Sequence, residues 1–246
     1  MKQHEAVIQT LERLGGVATL GELNQEVMKV EDCQWKAKDP FANIRRIVQL
    51  RPEIYKIKPG LYGLVAMRKQ NESKGILAEN EKNKSSREFL ASNHYYYQGL
   101  ILTLGNLRRL KTYAPQQDKN KRFINKTLGE VRTLQMLPDY TYPSLVKRSA
   151  TIDVIWFNER GMPNSFFEVE ASTDIQNSLT KYNDLQDFFV AMYIVADKKR
   201  KADYESKLAR SSFEALKNRV TFLDYESLVK QYEHAIGYEK IEVIIR

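Results

Sequence analysis

The chain is poor in cysteine and histidine and has no long apolar run. A single cysteine, Cys33, excludes an internal disulfide framework and fits a reducing cytoplasm. Beside it stand only His4, His94 and His234, too few for the usual Cys/His zinc site. No segment approaches the ~20 apolar residues that span a bilayer. Glu5 and Glu12 interrupt any apolar core of a secretion signal, so no membrane role is expected. Acidic residues are the minority, 31 against 39 basic ones, for a net charge of +8. That surplus favours a polyanionic partner, nucleic acid ahead of membrane, although a merely soluble basic protein would also carry it.

Residues 1–66 read as one compact unit. Val7, Leu11 and Leu14 recur at helical spacing until Gly15 and Gly16 stop the helix. Thr19, with Glu22 three residues on, opens a second helix as a capping box. Asp39-Pro40 starts a third over Phe41 to Leu50. Two short strands, Ile54–Ile57 and Leu61–Leu64, flank a Lys58-Pro59-Gly60 turn. Three helices and a hairpin follow the order of a winged helix-turn-helix. Residues 67–88 are polar and charged and read as a linker, partly helical.

Residues 89–246 read as a second domain. It opens with a helix striped by Tyr97, Ile101 and Leu104. A loop-rich stretch from Arg108 to Arg148 follows, with ten basic and three acidic residues. After it come two apolar runs around an Asn158–Asn164 loop, then a helix over about 173–188 and a strand over 189–195. A helix over 202–216, a strand over 220–223, a helix over 225–232 and a last strand over 241–245 complete the expected order. Alternation of strand and helix after the hairpin indicates an α/β domain with a mixed central sheet flanked by helices.

The chemistry concentrates on the hairpin. Asp153 lies near the start of Ile152–Phe157, and Glu168 and Glu170 lie on Ser165–Glu170. Residues two apart on a strand project from one face. Gathered carboxylates repel each other and lose hydration, and a hard cation such as Mg²⁺ or Mn²⁺ is the usual compensation. The bland reading makes Asp153 a partner of Arg148 and the two glutamates a solvated strand face. Yet Phe166, Phe167 and Val169 mark a strand inside the sheet, where two carboxylates need a reason. His94 and Gln98, four apart, share a helical face and could serve the site or merely bond locally. Tyr95, Tyr96 and Tyr97 could stack on bases, but packing is the commoner role of aromatics on a core helix.

The second domain resembles the PD-(D/E)XK restriction-endonuclease-like nucleases over most of residues 90–230. The resemblance rests on the His94-x-x-x-Gln98 helix with Leu100, Leu102 and Leu104-Gly105. It rests also on the block Phe167-Glu168-Val169-Glu170, Ser172-Thr173, Leu179, Lys181 and Asp184-Leu185. It implies a Mg²⁺-dependent deoxyribonuclease with Mn²⁺ as a substitute, in which Asp153, Glu168 and the Val169 carbonyl bind the metal. Gln98 stands where the superfamily often has an acidic residue. Glu170 occupies the usual lysine position; it cannot lend positive charge but can bind metal or accept a proton. Lys181, on the following helix, is the expected substitute. Residues 4–64 resemble the HARE-HTH type of winged helix, which implies recognition of DNA, modified DNA included.

DNA contacts are expected from Asn43, Arg45, Arg46 and Gln49 on the third helix and from Lys56 and Lys58 in the wing. In the basic stretch, Lys119, Lys121, Arg122, Lys126 and Arg132 suit phosphates. Cutting both strands of duplex DNA calls for a homodimer. Two other readings stay open: a DNA-binding regulator whose lost lysine signals lost catalysis, and a nuclease for RNA or repair intermediates.

Overall fold

The computed structural model describes residues 1–242 apart from 37 and 173, and the backbone alone for 238–242. Met1–Ser92 with the segment from Val229 onward form one compact unit, and Asn93–Leu228 form the other.

The first unit contains α1 (Gln3–Arg13), β1 (Val17–Thr19), α2 (Leu20–Val27), α3 (Pro40–Leu50), β2 (Ile54–Lys58), β3 (Leu61–Leu64) and α4 (Arg68–Ser73). α1 ends where Gly15 and Gly16 take positive φ. A Cβ on Gly16 would lie 2.4 Å from the Met67 sulfur, so space as well as φ requires glycine there. Thr19 Oγ1 accepts the Glu22 N–H at 3.1 Å, and the Glu22 carboxylate accepts the Thr19 N–H at 2.8 Å, closing the expected box. Asp39 accepts the Ala42 N–H at 3.0 Å, with Pro40 opening α3. β2 and β3 form an antiparallel hairpin, and β1, a strand too short to signal itself, pairs with β3 to give the order β1-β3-β2. Val7, Leu11, Leu23, Val27, Ile44 and Val48 pack on Ile54, Tyr62 and Leu64. Fully burying such a side chain contributes about 1.5–3 kcal/mol. The polar stretch 67–88 is only partly loop: it holds α4, whose buried Asn71 donates to the Gly16 carbonyl.

The second unit comprises α5 (Arg87–Leu107) from Asn93 on, β4 (Lys111–Tyr113), β5 (Arg122–Phe123), β6 (Lys126–Thr127), α6 (Leu128–Val131), α7 (Pro143–Ser149), β7 (Val154–Phe157) and β8 (Pro163–Glu170). It continues with α8 (Ile175–Asp184), β9 (Ala191–Ala196), α9 (Lys201–Leu208), β10 (Val220–Asp224) and the start of α10 (Tyr225–Glu242). Its five-stranded sheet runs β10-β9-β8-β7-β4. β8, β9 and β10 are parallel to one another, while β7 is antiparallel to both β8 and β4, so the sheet is mixed. Both faces are covered. On one, Phe167 stacks on Tyr193 and meets Trp156 at a tilt, and Trp156 Nε1 donates to the Ile101 carbonyl of α5 at 3.1 Å. On the other, Ile155, Phe157, Phe166, Met192 and Ile194 pack against Ile175, Leu179 and Tyr182 of α8. Helix α5 approaches closely because Gly99 and Gly105 lack side chains; a Cβ on Gly99 would meet the Phe123 ring at 2.2 Å.

Several expected boundaries move. The first hairpin strand begins at Val154, leaving Asp153 at its mouth. Helix α8 spans ten residues, because Asp174 caps it by accepting the Gln176 N–H and Leu185 ends it. The helix expected over 202–216 divides into α9 and a 3₁₀ segment, Ser211–Leu216, interrupted at Phe213. The basic stretch contains an edge strand, β4, and two short helices. The strand expected over 241–245 is not formed at Ile241 and Glu242, which continue α10; the rest of it lies outside the described residues.

Candidate active site and metal centre

The three hairpin carboxylates meet at the mouth between β7 and β8. The antiparallel register pairs Val154 with Phe167, which brings the preceding Asp153 beside Glu168 and Val169. Asp153 Oδ2 accepts the Val169 N–H at 2.7 Å, tying that side chain to the central strand. Glu168 and Glu170 alternate with Val169 and both turn to the α8 face. They are 2 % and 3 % exposed, far from a solvated edge.

Helix α8 supplies the partners on that face. Ser178 and Lys181 are three residues apart, hence neighbours on one helical surface. Lys181 Nζ donates to Glu168 Oε2 at 2.7 Å and Oε1 at 3.0 Å, and to the Thr151 carbonyl at 2.9 Å. Ser178 Oγ donates to Glu168 at 3.1 Å and also contacts Glu170. Arg200 Nη1 lies 3.8 Å from the Glu170 carboxylate and donates to its backbone carbonyl at 3.1 Å. Burial, then the nearby Asp153 charge, hold the Glu168 carboxyl well above the usual carboxylate range. For Lys181, burial opposes the charged form, but the carboxylates of Glu168 and Asp153 outweigh it and its pKa rises.

Helix α5 supplies a second set on the other side of Asp153. His94 Nδ1 lies 3.0 Å from the Val169 carbonyl, and its Nε2 lies 3.7 Å from Asp153 Oδ1. Gln98, fully buried, donates through Nε2 to the Asp153 carbonyl at 2.7 Å and to Asp118 Oδ2 at 3.3 Å. Its Oε1 is buried without a hydrogen-bond partner, a condition that typically costs about 1–3 kcal/mol. Asp118 reaches the group from the 3₁₀ turn Gln116–Asp118, and burial raises its carboxyl pKa. One ligand atom from each of His94, Asp118 and Asp153 lies within 4.8 Å of the others. Mixed carboxylate and imidazole donors with an unsatisfied amide oxygen at hand fit a divalent cation.

Asp153, Glu168, Glu170, Lys181, Gln98 and the Val169 carbonyl are thus brought together. Arg148 pairs instead with Asp184, at 2.6 Å. Asp118, Ser178 and Arg200 escaped the sequence reading. Asp118 is a single acid within Asp118-Lys119-Asn120-Lys121-Arg122, and nothing in that run signals that it alone turns inward. Its neighbours Lys119, Lys121 and Arg122 are exposed, and Lys121 Nζ sits 5.4 Å from the centre of the Tyr95 ring. Lys126 is exposed too, but Arg132 is not a phosphate ligand as placed: it is buried, donating to the Ala114 carbonyl and to Gln116 Oε1.

In the first unit, Arg46, Gln49 and Lys56 are exposed and Asn43 is half-buried. Arg45 forms an ion pair with Glu233 at 2.9 Å. Lys58, expected at phosphates, is buried with its ammonium 4.9 Å from the centre of the Phe89 ring, and burial lowers its pKa to about 7. The strand that carries it turns this side chain inward, away from any ligand on the surface.

A family profile described as the C-terminal domain of the type II restriction enzyme NmeDI matches residues 76–244, more than two thirds of the chain. The chain belongs to this family. No curated protein and no solved structure matches it significantly. This NmeDI-family protein is therefore restriction-enzyme-like, a class that implies nuclease chemistry and a DNA partner. No helix among the described residues is long and apolar enough to cross a membrane.

Proposed function

We propose that this NmeDI-family protein is a metal-dependent endonuclease that hydrolyses duplex DNA at a specific site, with a PD-(D/E)XK-like second unit. The observation that carries the reading is the contact of Lys181 with Glu168, at 2.7 Å. It supplies, from α8, the ammonium that the hairpin lacks because Glu170 stands at the lysine position. The order α5, β4, β7, β8, α8, β9 supports the same core.

Asp153, Glu168 and the Val169 carbonyl would hold Mg²⁺, with Mn²⁺ as a substitute. Such a cation offsets charge on the phosphate oxygens and the leaving alkoxide and makes water easier to ionise. The chain's own residues do the rest. Lys181 fixes the Glu168 carboxylate and lends positive charge to the phosphate under attack. Ser178 bridges Glu168 and Glu170, so both carboxylates keep one orientation. Gln98 holds Asp118 and the backbone at Asp153. Lys119, Lys121 and Arg122 neutralise flanking phosphates.

The first unit is read as a winged helix of the HARE-HTH type, with Asn43, Arg46 and Gln49 of α3 at base edges and Lys56 at the backbone. Arg45 joins them on release from Glu233. A second copy of the chain would be needed to cut both strands.

The test is incubation of the full chain with Mg²⁺ or Mn²⁺ and two plasmids, one unmodified and one carrying modified cytosine or adenine. Discrete fragments from the native protein, and none from Glu168→Ala, are expected. Retarded but intact DNA in every lane would replace the nuclease with a DNA-binding regulator, and Glu170 would be the reason.

A further inference from the structure

We propose that His94, Asp118 and Asp153 form a histidine-bearing cation site that prefers a first-row transition metal, Mn²⁺ among them, to Mg²⁺. The inference deepens the nuclease reading and rests on it only through the shared Asp153.

Each of the three residues is held by one polar atom and has another to offer. The Val169 carbonyl can only accept a hydrogen bond, so His94 donates from Nδ1, which leaves Nε2 facing Asp153 as the nitrogen that would ligate a cation. Asp153 uses Oδ2 to accept the Val169 N–H and turns Oδ1 toward that Nε2, 3.7 Å away. Asp118 accepts Gln98 Nε2 at Oδ2. A metal-binding histidine characteristically donates its second nitrogen to a carbonyl or carboxylate, and ligating carboxylates are themselves hydrogen-bonded. Nε2 and Oδ1 thus face each other across 3.7 Å, too wide for a hydrogen bond, a gap that a cation between them would bridge.

Gln98 is the independent observation. It is fully buried, its amide nitrogen touches both Asp118 and the Asp153 backbone, and its Oε1 has no partner. An amide oxygen in that position is a further ligand or the acceptor for a ligand water. The three donor atoms lie within 4.8 Å of one another, close to the ~4.2 Å that separates opposite ligands of a cation bound at 2.0–2.1 Å. A small closure of side chains suffices. One imidazole among carboxylates raises affinity for first-row transition ions, whereas Mg²⁺ favours oxygen alone.

Mn²⁺ is the probe. The full chain is titrated with Mn²⁺ and with Mg²⁺ by calorimetry, without DNA, and the Mn²⁺-loaded protein is examined by pulsed electron paramagnetic resonance. We expect Mn²⁺ to bind at least tenfold more tightly than Mg²⁺ and to show coupling to a ¹⁴N nucleus. His94→Gln should lose that coupling and about tenfold in Mn²⁺ affinity; Glu168→Gln should keep the coupling. Absence of ¹⁴N coupling in the native protein, which needs no variant to fold, overturns the site. So does equal affinity for Mn²⁺ and Mg²⁺. Neither readout involves cleavage, so an inactive protein that shows the nitrogen coupling refutes the nuclease and leaves the cation site standing.

Discussion

Replacing Lys181 with methionine removes the ammonium and keeps most of the packing. Glu168 is 2 % exposed and the Lys181 side chain 22 %. Removing one partner of a buried ion pair costs about 3–5 kcal/mol, and partial exposure of the lysine reduces this to about 2–3 kcal/mol. The cost should depend on pH. The folded Glu168 pKa lies well above its unfolded value, raised by burial and by Asp153. A raised carboxyl contributes stability that is complete below the unfolded pKa and is lost as pH rises through the folded pKa. Without Lys181, one of the influences that lowers the folded value disappears and that value rises further. The two stabilities should therefore lie closer together at pH 5, nearer the unfolded carboxyl range, than at higher pH. At pH 8 the variant must either bury an unpaired charge or take up a proton, and the full gap should open. Urea denaturation at the two pH values measures it, and a Glu168→Gln/Lys181→Met cycle isolates the pairwise part. A gap that is equal at both pH values, or larger at pH 5, would refute the reasoning.

Gly99→Ala forces a methyl into the Phe123 ring; overpacking of this kind costs about 1–3 kcal/mol, so the melting temperature should fall by several degrees, and an unchanged one contradicts the close approach of α5. Alanine at Lys119, Lys121 and Arg122 together should flatten the logarithmic salt dependence of DNA binding by about 2–3, close to 0.9 per phosphate contact; an unaltered slope removes this strip from the interface. Thr19→Ala should cost about 1 kcal/mol through loss of the α2 cap, read by urea denaturation of the full chain, with no loss at all the contrary result.

Local rules reach about one helical turn or one strand pair, and within that reach the sequence was legible. Thr19 with Glu22, and Asp39 with Pro40, announced two helix starts because a cap satisfies backbone groups within three residues. Alternation placed Glu168 and Glu170 on one face, and apolar neighbours indicated that the strand was inside the sheet. His94 and Gln98 were placed on one helical face by their spacing. Strands β1 and β4 were missed because three residues carry too little periodicity to separate them from loop.

The rest belongs to packing between distant segments. Whether Lys181 met Glu168 depended on how α8 lay across the sheet, 13 residues from its partner. Lys58 and Arg132 look like phosphate ligands by composition, yet both are buried, because the paths of β2 and of the segment after α6 turn them inward. Asp118 shows the same principle with the opposite consequence. Its sequence surroundings are basic and solvated, and only the turn after β4 brings it beside Gln98 and His94. The residue types and their faces were set by the sequence alone, and the tertiary structure decided which charges were forced together, because the desolvation and repulsion that invite a cation arise only when separate elements close over them.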